Sequence, residues 1–211
     1  MKKAFTLAET MITIIVLGLI AALTIPSVSK VYQKRVMTTQ LQKAYAQLTQ
    51  AGTTVNAVEG ISDFHSSKAL KNGKFIGTYI PISGETNPKA IYQLGYRYVN
   101  DPDEKAYPFN GIDEGSTKCG ILKSGATVCV DANGYGFIDV NGDKGPNLIG
   151  RDAYTIGFNN DGSVDSHYSD FLRKIRSADW DLDAATDNRS GGRKVEEATT
   201  TPKAKKATKK N

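Results

Sequence analysis

The chain changes its hydrophobic pattern three times. From Met11 to Ile25 it is almost continuously aliphatic, and between Ala4 and Ser29 the only ionisable side chain is Glu9. Counted from Phe5 to Ile25 the run is 21 residues, about 31 Å as a helix and so as thick as the hydrocarbon core of a bilayer. From Val28 the pattern becomes periodic. Leu41, Ala44, Tyr45, Leu48, Ala51, Val55 and Val58 follow steps of three and four, which is one face of a helix. Lys30, Lys34, Arg35, Gln40, Lys43, Gln47 and Gln50 fall largely on the other faces. One helix is therefore predicted from Phe5 to about Asn56, roughly 78 Å long. Its first half is built for lipid or other helices, and its second half has a stripe to bury against a domain.

Gly60-Ile61-Ser62-Asp63 ends that periodicity. Residues 61–115 read as loops and short elements, with one short helix within Phe64–Gly77 and a strand over Ala90–Val99. Beyond them the alternation is clearer. Cys119–Leu122 and Ala126–Val130 flank Lys123-Ser124-Gly125, a hairpin loop with Gly where a left-handed residue is needed. Pairing 122 with 126 also pairs 119 with 129, so Cys119 and Cys129 face each other across two strands. Asn133-Gly134 supplies a second turn, predicting a meander through Gly136–Val140, and Tyr154–Phe158 reads as a last strand followed by a turn. The predicted fold class is α+β, a long N-terminal helix packed on a small antiparallel β-sheet head.

The net charge is +5 over 211 residues. Arg189–Asn211 holds eight Lys/Arg and two Glu, a net of +6, which leaves −1 for residues 1–188. The basicity thus belongs to a tail without apolar period, which reads as disordered, and not to the folded body. Such a tail has the composition to touch nucleic acid or anionic surfaces, and equally to do no more than solvate. Lys2 and Lys3 precede the apolar run without acidic neighbours, which orients the N-terminus to the cytoplasm and everything after Ser29 to the far side. In that compartment a Cys119–Cys129 disulfide persists, the alternative being two buried thiols. A cleaved secretory signal has a shorter apolar run, and a plain anchor leaves Glu9 without a reason, since a carboxylate within a span is costly.

Lys3-Ala4-Phe5-Thr6-Leu7-Ala8-Glu9 followed by the apolar run resembles the N-terminal signal of type IV prepilins and type II secretion pseudopilins. The resemblance implies a leader of residues 1–4, cleavage at Ala4/Phe5 by a prepilin peptidase, and methylation of the new Phe5 amine. The family usually has Gly where this chain has Ala4, while Pro26 agrees with the proline often found at that depth. The implied organisation is an assembly and membrane helix over 5–29, an amphipathic continuation over 30–58, a pilin-like head over 59–188 and the basic tail over 189–211. Implied partners are other pilin subunits, an inner-membrane assembly platform and an ATPase; the implied location is the bacterial inner membrane and then a periplasmic or surface filament. Glu9 would pair with the Phe5 amine of a neighbouring subunit and pin the assembly register, or else sit hydrated at headgroup level. A type II secretion pseudopilin, and a pilin-borne DNA-uptake or adhesive module, are the alternatives.

Asp139, Asn141 and Asp143 alternate oxygen side chains with glycines nearby, the pattern a Ca²⁺ loop uses. The match to an EF-hand is partial, with neither Gly at the sixth position nor Glu at the twelfth, and such clusters also form plain turns. No cofactor is required by this reading; calcium is the one candidate. There is no G-x-S-x-G, Walker loop or H-E-x-x-H, so no enzyme is expected.

Overall fold

The computed structural model describes residues 6–106 and 116–186. Helix α1 (Leu7–Glu59) runs uninterrupted through Pro26 and ends on Gly60, whose left-handed backbone (φ 64°) lets its N–H reach Asn56 O. The glycine needed for that geometry is what stops the helix. Three short helical segments follow: a 3₁₀ turn (Phe64–Ser66), α2 (Lys68–Lys71) and α3 (Phe75–Thr78). Then come β1 (Ile82–Thr86), α4 (Pro88–Tyr92) and β2 (Arg97–Tyr98). The strand expected over Ala90–Val99 is thus confined to Arg97–Tyr98, because Asn87 caps Lys89 N–H and Pro88 opens a helix in its place.

The remaining strands are β3 (Lys118–Leu122), β4 (Thr127–Val130), β5 (Tyr135–Asp139), β6 (Leu148–Ile149), β7 (Ala153–Phe158) and β8 (Val164–Ser166). Helix α5 (Phe171–Ser177) and a 3₁₀ turn (Leu182–Ala185) close the described chain. The eight strands form one sheet in the order β1-β3-β4-β5-β7-β6-β2, with β8 added on β7. The meander β3-β4-β5 is antiparallel, and Cys119 lies opposite Cys129 as the numbering requires. The two are joined by a disulfide.

The sheet is mixed rather than purely antiparallel. The chain leaves β5, skips over β7 and enters β6 on its far side, so β6 runs parallel to both β7 and β2. Tyr154–Phe158 is not the last strand either. The turn at Asn159–Gly162 carries the chain back antiparallel as β8.

The head is built around the second half of α1. Leu41, Ala44, Leu48 and Val55 are completely buried and Ala51 nearly so, which is the predicted stripe; Val58, expected on it, is exposed at the helix end. The sheet contributes Val128, Phe137, Ile138 and Ile156 to the same hydrophobic core, all fully buried. Phe64, Phe75 and Phe158 form an aromatic knot, with Phe64 stacked on Phe158 at 4.4 Å and the two contacts to Phe75 edge-on. Helix α1 meets the β7–β8 turn backbone to backbone at Gly52, where a Cβ would lie 2.1 Å from Gly162 O. Asn56 Nδ2 donates to Asn160 O at 2.8 Å beside this crossing.

Candidate assembly site

The apolar run of α1 from Leu7 to Ile25 is exposed along its length. Met11, Ile12, Ile14, Ile15, Leu17, Leu19, Ile20, Leu23 and Ile25 are each more than half exposed, and Leu7 is 80 % exposed. Solvent-facing aliphatic side chains on every side of a helix mark a surface that lipid or protein must cover. Each is worth about 1.5–3 kcal/mol when fully buried. By length and composition α1 is able to cross a membrane. The exposed apolar surface continues past Ile25 through Val28, Val31 and Tyr32, the first two turns beyond a bilayer-length segment.

Glu9 sits at the start of this helix in a capping box. Its N–H donates to Thr6 Oγ1 at 3.2 Å, while its carboxylate accepts from the Thr6 N–H and the Thr6 hydroxyl, both at 3.1 Å. These bonds satisfy donors that the first turn would otherwise leave open. Glu9 therefore has a partner within its own chain, in addition to any that a neighbouring subunit supplies. The T-x-x-E spacing of Thr6-Leu7-Ala8-Glu9 carries this signal in the sequence. Ala4 and Phe5 lie outside the described residues, as does the basic tail from 189 onward.

Head and helix are clamped at a second place. Lys34 Nζ lies 2.6 Å from both Asp181 Oδ1 and Asp183 Oδ2, and the bonds to these carboxylates hold its pKa above the usual lysine value. About three helical turns further on, Arg176 lies over the Tyr45 ring at 4.4 Å and Trp180 meets the same ring edge-on at 5.4 Å. The C-terminal segment of the head is thus fastened to α1 near the end of the apolar run.

The oxygen-rich loop has an inward role. Asp139 is fully buried and accepts a hydrogen bond from the Tyr96 hydroxyl; Asp152 is also fully buried and accepts from Asn147 N–H at 2.9 Å and Leu148 N–H at 2.6 Å. Asn141 donates to Gly145 O at 3.2 Å and reaches Asp152 at 3.4 Å. Burial pushes the Asp139 carboxyl up to about 7, with the nearby Asp152 charge adding to the rise against the Tyr96 bond. Burial likewise raises Asp152. Asp143 is exposed. Among the described residues no group of three or more His, Cys, Asp or Glu side chains is placed to hold a metal ion. Tyr96 and Asp152 are the members of this network that the D-x-N-G spacing did not single out. Tyr96 comes from a distant segment, 43 residues from Asp139, and Asp152 follows the loop just before β7.

No family model, curated protein or solved structure matches this chain. What bears on function is therefore the geometry itself. It consists of an uncovered apolar half-helix, a capped carboxylate at its tip, and a head clamped to the other half.

Proposed function

We propose that the chain is a structural subunit of a type IV pilus-like filament, inserted in the inner membrane through residues 5–29 and assembled helix against helix. The observation that carries this reading is the continuity of α1. A single helix is exposed and apolar over its first half and buried in the head over its second. Such a helix passes from lipid into a bundle of like helices at small cost, since both surroundings cover the same side chains. The prepilin-like residues Lys3 to Glu9 support it independently. In this reading a prepilin peptidase cuts at Ala4/Phe5, an ATPase-driven platform extracts the subunit, and Glu9 exchanges part of its bonding to Thr6 for the Phe5 amine of a neighbour. That amine keeps its charge on methylation, and a charge-assisted bond of this kind is stronger than a neutral one.

Two substitutions separate pairing from capping. Thr6→Ala removes the hydroxyl partner and leaves the Glu9 charge; Glu9→Ala removes both roles. Filament yield, read by shearing and immunoblot, is expected to fall steeply for Glu9→Ala and only slightly for Thr6→Ala, with both precursors still inserted. Equal loss in the two would make Glu9 a cap alone, and normal yield from Glu9→Ala would remove it from assembly.

A further inference from the structure

We propose that the segment 178–186 is a latch released by salt: closed, it is fastened across α1, and open, it uncovers the Lys34–Tyr45 face of that helix. Two opposed influences meet in this short stretch of chain. Beyond α5 the backbone turns left-handed, a conformation that glycine usually supplies at a helix end. Here Asp179 and Trp180 adopt it in succession, at φ 53° and 64°. The turn is closed by Ala178 N–H donating to Lys174 O at 3.1 Å and Trp180 N–H to Ile175 O at 2.8 Å. A left-handed backbone is unfavourable for a side chain as large as Trp, and such strain persists only where the surroundings enforce it.

The contacts with α1 enforce it. Trp180 meets the Tyr45 ring edge-on, and Lys34 holds both Asp181 and Asp183. Beneath the segment lies a cavity of about 350 Å³, lined among others by Lys34, Met37, Leu182, Asp183 and Thr186. The segment is thus fastened to the helix at points rather than by continuous packing. Its ionic fastening is also open to water: the side chains of Lys34, Asp181 and Asp183 are 40, 51 and 79 % exposed. Exposed pairs of this kind are weak, and salt screens them, the Debye length falling to about 3 Å at 1 M. Backbone strain opposed by a weak ionic hold makes a balance that ionic strength tips.

Trp180, the only tryptophan, lies within the latch and reports its state. Full-length protein in a neutral detergent is carried from about 0.05 to 1 M NaCl while Trp180 emission and backbone amide exchange are followed. The emission is expected to shift to the red and level off. Amides of 178–186 are expected to exchange about tenfold faster at the high-salt end, while those of β4 and β5 keep their protection. Lys34→Gln removes the ionic hold and is expected to be open at low salt, with no further response. Asp179→Gly relieves strain without touching the ion pairs and is expected to open only at higher salt than wild type. A wild-type chain whose emission and exchange ignore salt would overturn the proposal, as would a Lys34→Gln chain that responds like wild type. So would an Asp179→Gly chain that opens at the same or lower salt, or loss of β4 and β5 protection in step with the latch, which would mean general unfolding.

Discussion

Gly52 and Gly162 let helix α1 and the β7–β8 turn meet backbone to backbone. A methyl at position 52 would lie 2.1 Å from Gly162 O and 2.9 Å from Gly162 C, atoms that cannot swing aside. Gly52→Ala gains helix propensity of about 1 kcal/mol, yet the clash forces the crossing apart. A net destabilisation of about 1–3 kcal/mol is expected in urea melts, while Gly84→Ala, with open space around its Cβ, is expected to be near neutral. Asp139 gives a pH signature. Its carboxyl titrates at about 7 in the fold against 3.8 ordinarily, so between those values the folded state holds a proton that the unfolded chain has released. This group's contribution is therefore most favourable below pH ~4 and is lost as pH rises to about 7, by at most ~4 kcal/mol. Asp152 shifts in the same direction, while Asp63, Asp165 and Asp181 shift the other way. The difference between wild type and Asp139→Asn isolates the term. The variant is expected to gain stability relative to wild type as pH goes from 4 to 7, and a constant difference would contradict the assignment.

At the level of elements, what was legible from sequence followed from local rules. The hairpin could be placed because Gly125, at φ 86°, needs the left-handed region and fixes the register, and register alone sets Cys119 against Cys129. The buried stripe of α1 followed from its 3.6-residue period. By contrast, the parallel pairing of β6 depends on a crossover that no local pattern encodes, and each of β2 and β6 has only two residues to carry a period. Asn87-Pro88, a helix start, stands just before the Ala90–Val99 stretch, whose aromatics and β-branched residues read as strand. The disulfide closes a loop of ten-residue separation within β3–β4. Replacing both cysteines by alanine is expected to cost about 2–3 kcal/mol of stability, measured by thermal melting, with the β3–β4 register kept by the Gly125 turn.

On the scale of the whole molecule, the two halves of α1 divide the work. The head holds its half through the Leu41–Val55 stripe, the Lys34 clamp and the Gly52 crossing. The other half is left uncovered, with Glu9 capped by Thr6 at its tip. The apolar run was plain in the sequence because lipid and helix bundles impose only a length and a composition, whereas the Tyr96–Asp139–Asp152 network was hidden because burial is set by the fold. The account of this chain as a processed subunit is tested most directly by intact-mass spectrometry of the membrane-extracted protein from cells with a working prepilin peptidase. It predicts a chain that begins at Phe5 and carries one added methyl group; a chain that still begins at Met1 would contradict it.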